Sequence, residues 1–575
     1  MAEMDPTYEY GEAVDADVPP SLSTHTLRRL LYLALTALVV LLLVLLPPLI
    51  SLNRYQKSIA NSIGASLGRP VHLDKVSLNL LPLPGFTLEN FVVDEDPAFG
   101  SEPVIRANSV RVTLRLSSLW RSRHIEFSTI SFTDQTSVNL VHLADGRWNL
   151  ESILLHAAHI EAEPTAQRRA GPAPRFPYIE ATGARLNVKL DHEKIPLSLT
   201  EADFALWLPD PQEWHLRLQG HPTRTDANVS DTGIIDVEGT LGRAASLGQV
   251  PLSLSGEWRN VPLGQASLVL FGHDAGLRGD MTLSANAQGT VNNSAVQARL
   301  QLTGARRADF VPAVQSLDVD LQCLGAATEN FHAFQEVHCS WPPAGSSDPP
   351  TLAVSGVVPN IRHLNTATIE VGTPGLPAAT LLDWLHIASS RVPVDVLAAG
   401  TLTGTLSYRP QAGSSQSGNP IPWEGEMQIT NASLINPRAG DTSLVAGDVV
   451  LQSATAPPPD PRHPRRPVAL VPSGFQLAPI SLALGGKDPA TLDGHFDHTG
   501  YTLHLTGMAS LARLHALTTA LPQLGDGLAD VLPTNRAAGP FRIDLTANRP
   551  WGGDQTWTDN TAHPAPSKPR RRHSS

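Results

Sequence analysis

Apolar residues recur at every second position along most of this chain. Val112, Leu114 and Leu116 alternate with Arg111, Thr113 and Arg115, and the same period returns at Leu186/Val188/Leu190, Trp214/Leu216/Leu218 and Leu252/Leu254. It continues at Met281/Leu283/Ala285, Val296/Ala298/Leu300/Leu302 and Leu317/Val319/Leu321/Cys323. Towards the end it reappears at Leu402/Leu406, Ile480/Leu482/Leu484, Tyr501/Leu503/Leu505 and Phe541/Ile543/Leu545. Successive side chains of a strand point to opposite faces, so this pattern predicts many short strands with one apolar and one polar face. The fold class is mainly β with few helices. Helical spacing predicts a short helix through Ile59, Ile63 and Leu67, ending at Gly68, and others at 379–388 and around 508–521. Asn149 stands where an N-cap would, before Leu150, Ile153, Leu154, Ala157 and Ala158.

One segment breaks the pattern. From Leu30 to Leu52 there is no charged residue, and this run exceeds the roughly 20 residues that span a bilayer. Its length, and the Pro47-Pro48 and Arg54 that follow, argue against a cleaved leader. Residues 26–54 are therefore expected to form a transmembrane anchor. Its orientation is undecided by charge, because Arg28 and Arg29 on one side balance Arg54 and Lys57 on the other. The acidic, aperiodic stretch 1–25 and the basic tail 549–575 read as disordered. Pro-rich loops at 163–177, 410–422 and 456–467 punctuate the strands. The expected organisation is an N-terminal helix-and-strand region at 55–160, a β-rich body at 178–409 and a C-terminal β-rich part at 423–548.

Composition narrows the function classes. The net charge of −12, spread along 575 residues, provides no basic surface for a nucleic-acid backbone. Two cysteines, Cys323 and Cys339, rule out a disulfide scaffold and a four-cysteine zinc module; a single bridge and two buried thiols both fit. His156 and His159, with Glu161 and Glu163 nearby, lack the further ligands of a zinc signature, and His495/His498 sit in a turn-like stretch. Asp94-Glu95-Asp96 precedes Pro97 and Gly100 and reads as a surface turn. The arginines at 168, 169 and 175, and at 462, 465 and 466, read as loop charge. No nucleophile elbow, phosphate loop or kinase set is present, so no enzyme, metal or cofactor is expected.

So many one-faced strands must hide their apolar sides, either as closed sandwiches or as one sheet curled into a groove; the alternation satisfies both. At this point a resemblance becomes informative. LGRPVHLDKVSLNLLPLPGFTLENFVVDEDPAFG (67–100), PVIRANSVRVTLRLSSLW (103–120), IEFSTISF (125–132) and ADGRWNLESIL (144–154) together resemble the N-terminal region of the AsmA family. These are envelope proteins of diderm bacteria, similar in architecture to chorein-type bridge lipid-transfer proteins. LFGHDAGLRGDMTLSANAQGT (270–290) and AAGTLTGTL (398–406) resemble the family more loosely.

The resemblance implies an inner-membrane anchor with the body in the periplasm, and a long curled sheet forming a hydrophobic groove. It implies phospholipid as the ligand, the inner membrane as a partner and outer-membrane or other envelope proteins as further partners, with no nucleic acid. The expected groove lining is Val112, Leu114, Leu116, Leu186, Val188, Leu190, Leu216, Leu218, Leu252, Leu254, Leu283, Leu300, Leu317, Val319, Leu321, Leu482, Leu503 and Ile543. The expected work is passive conduction or retention of phospholipid for envelope biogenesis. The alternative is a scaffold or assembly factor for outer-membrane protein or lipopolysaccharide biogenesis that carries no lipid.

Overall fold

The computed structural model describes residues 24–45, 56–79, 83–115, 127–133, 135–143, 145–151, 153, 177–191, 193–210, 213–244, 246–308, 316–343, 351–361, 363–388, 395–410, 423–435, 443–453, 474–497, 500–521 and 539–550. Two helices come first, α1 (Thr24–Leu45) and α2 (Gln56–Leu67). Then follow β1 (Val71–His72), β2 (Lys75–Asn79), β3 (Gly85–Val93), β4 (Ile105–Leu114), β5 (Phe127–Thr133), β6 (Ser137–His142), β7 (Tyr178–Leu190) and β8 (Glu193–Asp210). Next are β9 (Glu213–Arg224), β10 (Ile234–Gly242), β11 (Pro251–Pro262), α3 (Leu263–Phe271), β12 (Leu277–Thr290) and β13 (Asn293–Arg307). They lead to β14 (Leu317–Thr328), β15 (Ala333–Trp341), β16 (Leu352–Val358), β17 (Thr368–Pro377), α4 (Ala378–Ala388), β18 (Leu397–Tyr408) and β19 (Trp423–Ile435). The last are β20 (Leu444–Ser453), β21 (Phe475–Leu482), β22 (Ala490–Phe496), β23 (Gly500–Ala509), α5 (Leu511–Ala520) and β24 (Phe541–Pro550).

Among the described residues all 24 strands belong to one sheet. β1 and β2 lie end to end along one edge of β3, and β5 and β6 lie end to end along β4. β7 joins β5 and β6 in parallel, and from β7 to β24 every strand pairs antiparallel with the next. The sheet crosses the expected boundary at 410–422 without interruption, because β18 pairs with β19 from Leu397↔Ile435 to Tyr408↔Trp423.

The sheet is coiled. His142 at the end of β6 stacks on Trp148, with ring centroids 4.5 Å apart, and lies 4.7 Å from the ring of His332 in the β14–β15 turn. Eight strand steps separate β6 from β14, which would be roughly 38 Å in a flat sheet.

Bulges of one design contribute to the bending. Gly183, Gly304 and Asn431 have φ of 61°, 64° and 53°, and each lies at a register shift. The amide of each donates to an aspartate on the next strand: to Asp203 at 3.0 Å, Asp318 at 2.7 Å and Asp448 at 3.2 Å. An extra residue per bulge bends the strand and increases its twist, and the aspartate satisfies the amide that the ladder leaves unpaired.

Short helices pack on the apolar face and make local cores. α2 covers Val76 (0% exposed), Leu88 (2%), Val93 (0%) and Val110 (1%) through Ile59, Ala60, Ile63 and Leu67. α3 packs on Trp258, Val261, Met281 and Ala305. α5 packs on the inner side of β21–β24, around Leu505. α4 touches two of these cores, Ile387 against the one beneath α3 and Leu382 against the one beneath α5.

α2, α4 and α5 match the helices expected from spacing. α3 was not expected. It is a nine-residue run between Pro262 and Gly272, and Gly272 ends it at φ 81°. Asn149 does not act as expected, since its side chain is spent on strand groups, as described below; a helical turn starts there, but residues 154–176 lie outside the described residues.

α1 spans 22 residues. Its described side chains are Arg28, Arg29 and residues 31–41, so among the described residues no helix is long and apolar enough to cross a membrane. Residues 1–23 and 551–575 of the tails, the two arginine groups, His156, His159, Glu161, Glu163 and His498 also lie outside the described residues.

Candidate functional site

Strand register turns the two-residue period into continuous rows. One row reads Val76↔Leu88↔Val110↔Phe132↔Ala181↔Phe204↔Leu218↔Val237↔Gly256 from β2 to β11. It carries on as Gly256↔Ala285↔Ala298↔Cys323↔Cys339↔Val354↔Val371↔Leu406↔Gly425 to β19. No charged or hydrogen-bonding side chain interrupts it over sixteen strand steps, roughly 77 Å. A second row runs beside it, Leu78↔Phe86↔Val112↔Ile130↔Ile179↔Leu206↔Leu216↔Gly239↔Leu254↔Ala287↔Val296↔Gly325. A third includes Ile235↔Trp258↔Leu283↔Leu300↔Leu321.

The opposite phase is polar. Its central row is Thr87↔Arg111↔Ser131↔Glu180↔Ala205↔Arg217↔Glu238↔Ser255↔Asn286↔Gln297↔Leu324↔His338↔Ser355↔Glu370. Ion pairs stitch this outer face. Arg299 donates to both oxygens of Asp320, at 2.7 and 2.6 Å, and holds that carboxyl below its usual range.

Burial distinguishes this inner face from a closed core. In β13, Val296, Ala298, Leu300 and Leu302 are half-buried, while Gln297, Arg299 and Gln301 are exposed. Leu283 is 37% exposed. Cys323, Cys339, Val354, Val371 and Leu406 are likewise half-buried, and none belongs to a packed cluster. A sandwich would have a second sheet over these rows. Over β12–β18 the described helices α3 and α4 cover only the rows at one strand end, where Met281, Leu376 and Leu402 are buried.

The residues expected to line a groove stand on this one face wherever they are described. Leu114, Leu186, Val188, Leu216, Leu218, Leu254, Leu300, Leu317, Val319 and Leu321 are half-buried, and Leu190 is 36% exposed at a strand end. Val112 (7%) packs into the core under α2, and Leu252 (5%) is buried. Leu482, Leu503 and Ile543 correct the expectation: they lie in the core beneath α5, where the helix supplies the cover that β12–β18 lack. Leu116 lies outside the described residues. Cys323 and Cys339 face each other across β14 and β15 and are bonded, with Cα atoms 3.9 Å apart.

At the N-terminal end the motif residues converge on a buried polar knot. Arg69 (6% exposed) lies 3.5 Å from Glu95, whose side chain is 1% exposed. Asn149 (0%) donates to Glu95 at 2.6 Å and to the carbonyl of Asn139 at 2.8 Å, and accepts from the amide of Val141 at 3.0 Å. Asn187 then donates to Asn139 at 3.1 Å. The Gly-Arg-Pro, Asp-Glu-Asp and Gly-Arg-Trp-Asn stretches thus meet at one point and fix β6 and β7 against β3. Glu95 is therefore no surface carboxylate, because Arg69 and Asn149 hold it inside. Gly85, after the Pro-rich turn, is required by space: a Cβ there would lie 2.2 Å from the carbonyl oxygen of Val112.

Among the described residues no group of three metal-ligating side chains occurs. Residues 25–177 match the model of the AsmA family. No curated protein and no solved structure matches the chain.

Proposed function

We propose that this chain, a member of the AsmA family by residues 25–177, is a membrane-anchored lipid-binding protein that conducts or retains phospholipid for envelope biogenesis. α1 anchors it in the inner membrane and the sheet stands in the periplasm. Supporting the anchor, Leu31, Leu33, Leu35, Leu38, Val40 and Leu41 are each more than half exposed, on all sides of α1. A helix apolar all round needs an apolar surrounding.

The observation that carries the reading is the half-exposed row from Ala285 to Leu406. Apolar surface left facing water forgoes about 25 cal/mol per Å², and acyl chains laid along the row recover it. A floor with no charge or hydrogen-bonding side chain offers a chain no fixed stopping point, so movement is by sliding and needs no catalytic group. Headgroups stay at the open side, in water. A scaffold without lipid would gain nothing from leaving these rows uncovered.

Val354→Glu combined with Val371→Glu tests this by placing two charges on adjacent floor positions. The phospholipid that co-purifies per chain should fall several-fold, while Ser355→Glu on the outer face leaves it unchanged. Equal lipid in all three proteins, or none in the unaltered one, would move the reading to the scaffold.

A further inference from the structure

The inner face does not stay open to its C-terminal end. In the row that passes Gly404↔Met427↔Leu451↔Leu477↔Gly494↔Leu503↔Ala547, the first three residues are half-buried. Leu477, Leu503 and Ala547 are then 9%, 8% and 7% exposed. The change coincides with α5, whose Leu514 (4%) and Leu517 (1%) close over Leu505 (0%). α5 is pinned at its start. Ser510 caps it by accepting from the amide of Arg513 at 3.4 Å, and the Arg513 guanidinium donates to the carbonyl of Ser443 at 2.9 Å, just before β20.

The other end differs. Leu78 and Phe86 of the β2–β3 hairpin are half-buried, Leu83 in its turn is 58% exposed and Phe127 on β5 is 38% exposed. α2 packs on the same inner face towards the other end of these strands, around Val76, Val93 and Val110; its core takes in Phe86 and Val112, and Leu83 stands outside it. The hairpin follows α1, α2 and β1 in the chain.

Resting on the lipid reading above, we propose that the groove is blind. Phospholipid enters and leaves at the β2–β3 hairpin and along the open side, and none passes beneath α5. The chain alone holds lipid drawn from one membrane and does not thread it from end to end. A handover to another acceptor then takes place sideways, from the open stretch.

The test uses full-length protein in which leucine is replaced throughout by its diazirine analogue, close enough in size to leave the cores packed. The protein is reconstituted in phospholipid vesicles, irradiated, and its peptides are searched for phospholipid adducts. A blind groove gives adducts at Leu83, Leu216, Leu300 and Leu321, and loses them at Leu503 and Leu505. Leu324, which is 47% exposed on the outer face, is the control for exposure alone and should stay free of adduct. Adducts at Leu503 and Leu505 as well would overturn the blind end and leave the lipid reading standing. No adducts in the sheet, or adducts at Leu324 as often as at Leu300, would remove the lipid reading and the blind end with it.

Discussion

Truncating one leucine in the open stretch and one in the C-terminal core separates a groove from a closed interior. Leu→Ala removes three carbons, worth about 2.4 kcal/mol when fully buried at about 0.8 kcal/mol per methylene. Leu283 is 37% exposed, so roughly two-thirds of that, about 1.5 kcal/mol, is at stake. It borders open space, so truncation leaves no enclosed cavity to add to the loss. Leu505 is 0% exposed, and its truncation leaves a cavity among Leu492, Leu514 and Leu517, for a total of about 3–5 kcal/mol. A sheet of this length does not unfold in one step, so a single melting curve would blur the two sites. Native-state hydrogen exchange reads them separately, through the opening free energies of amides in β12–β13 and in β22–β23. The expected result is a loss at Leu283→Ala of at most about half that at Leu505→Ala. Equal losses would mean that the middle rows are packed as tightly as the end, and the groove would be refuted.

Other consequences are independent of that comparison. Arg69→Ala should destabilise the N-terminal region by about 3–5 kcal/mol, because it strands Glu95 inside; Arg69→Met with Glu95→Leu should cost clearly less, as read by exchange in β3 and β6. Asp383 on α4 has its carboxyl pushed up, mainly by burial and opposed by the charge of His386. A raised carboxyl penalises the folded state above its titration and is relieved as pH falls through it, so Asp383→Asn should raise thermal stability at neutral pH and make no difference in acid. Equal stability of the two proteins at neutral pH would remove that role. A water-soluble phosphine should reduce Cys323–Cys339 faster in delipidated protein than in lipid-loaded protein, since the bond lies in the floor row; equal rates would mean that the floor carries no acyl chain.

Much of the sheet was legible because alternation is a local property. The phase of β13 or β14 can be read from a dozen residues, and every described residue chosen on that phase stands on the inner face. The rows were not legible, because they depend on register. Nothing local to Val110 says that it leads through Phe132 and Ala181 to Cys323. The sealing of Leu482, Leu503 and Ile543 was hidden for the same reason: they share the period of Leu300, and only the docking of α5 separates them. Glu95 was misread because Asp94, Asp96, Pro97 and Gly100 spell a turn, while its partners Arg69 and Asn149 lie far off in the chain. The bulges did leave a signal. Thr182-Gly183, Thr303-Gly304 and Thr430-Asn431 are the same step, each facing an aspartate on the next strand.

The account rests on acyl chains lying over the inner rows. A density map of the full chain, purified without stripping its lipid, tests that most directly. The account predicts elongated density along the floor from Ala285 to Leu406, outside the protein chain and stopping before Leu503. Bare solvent over that floor, or protein segments packed on it as they are beneath α5, would contradict the account.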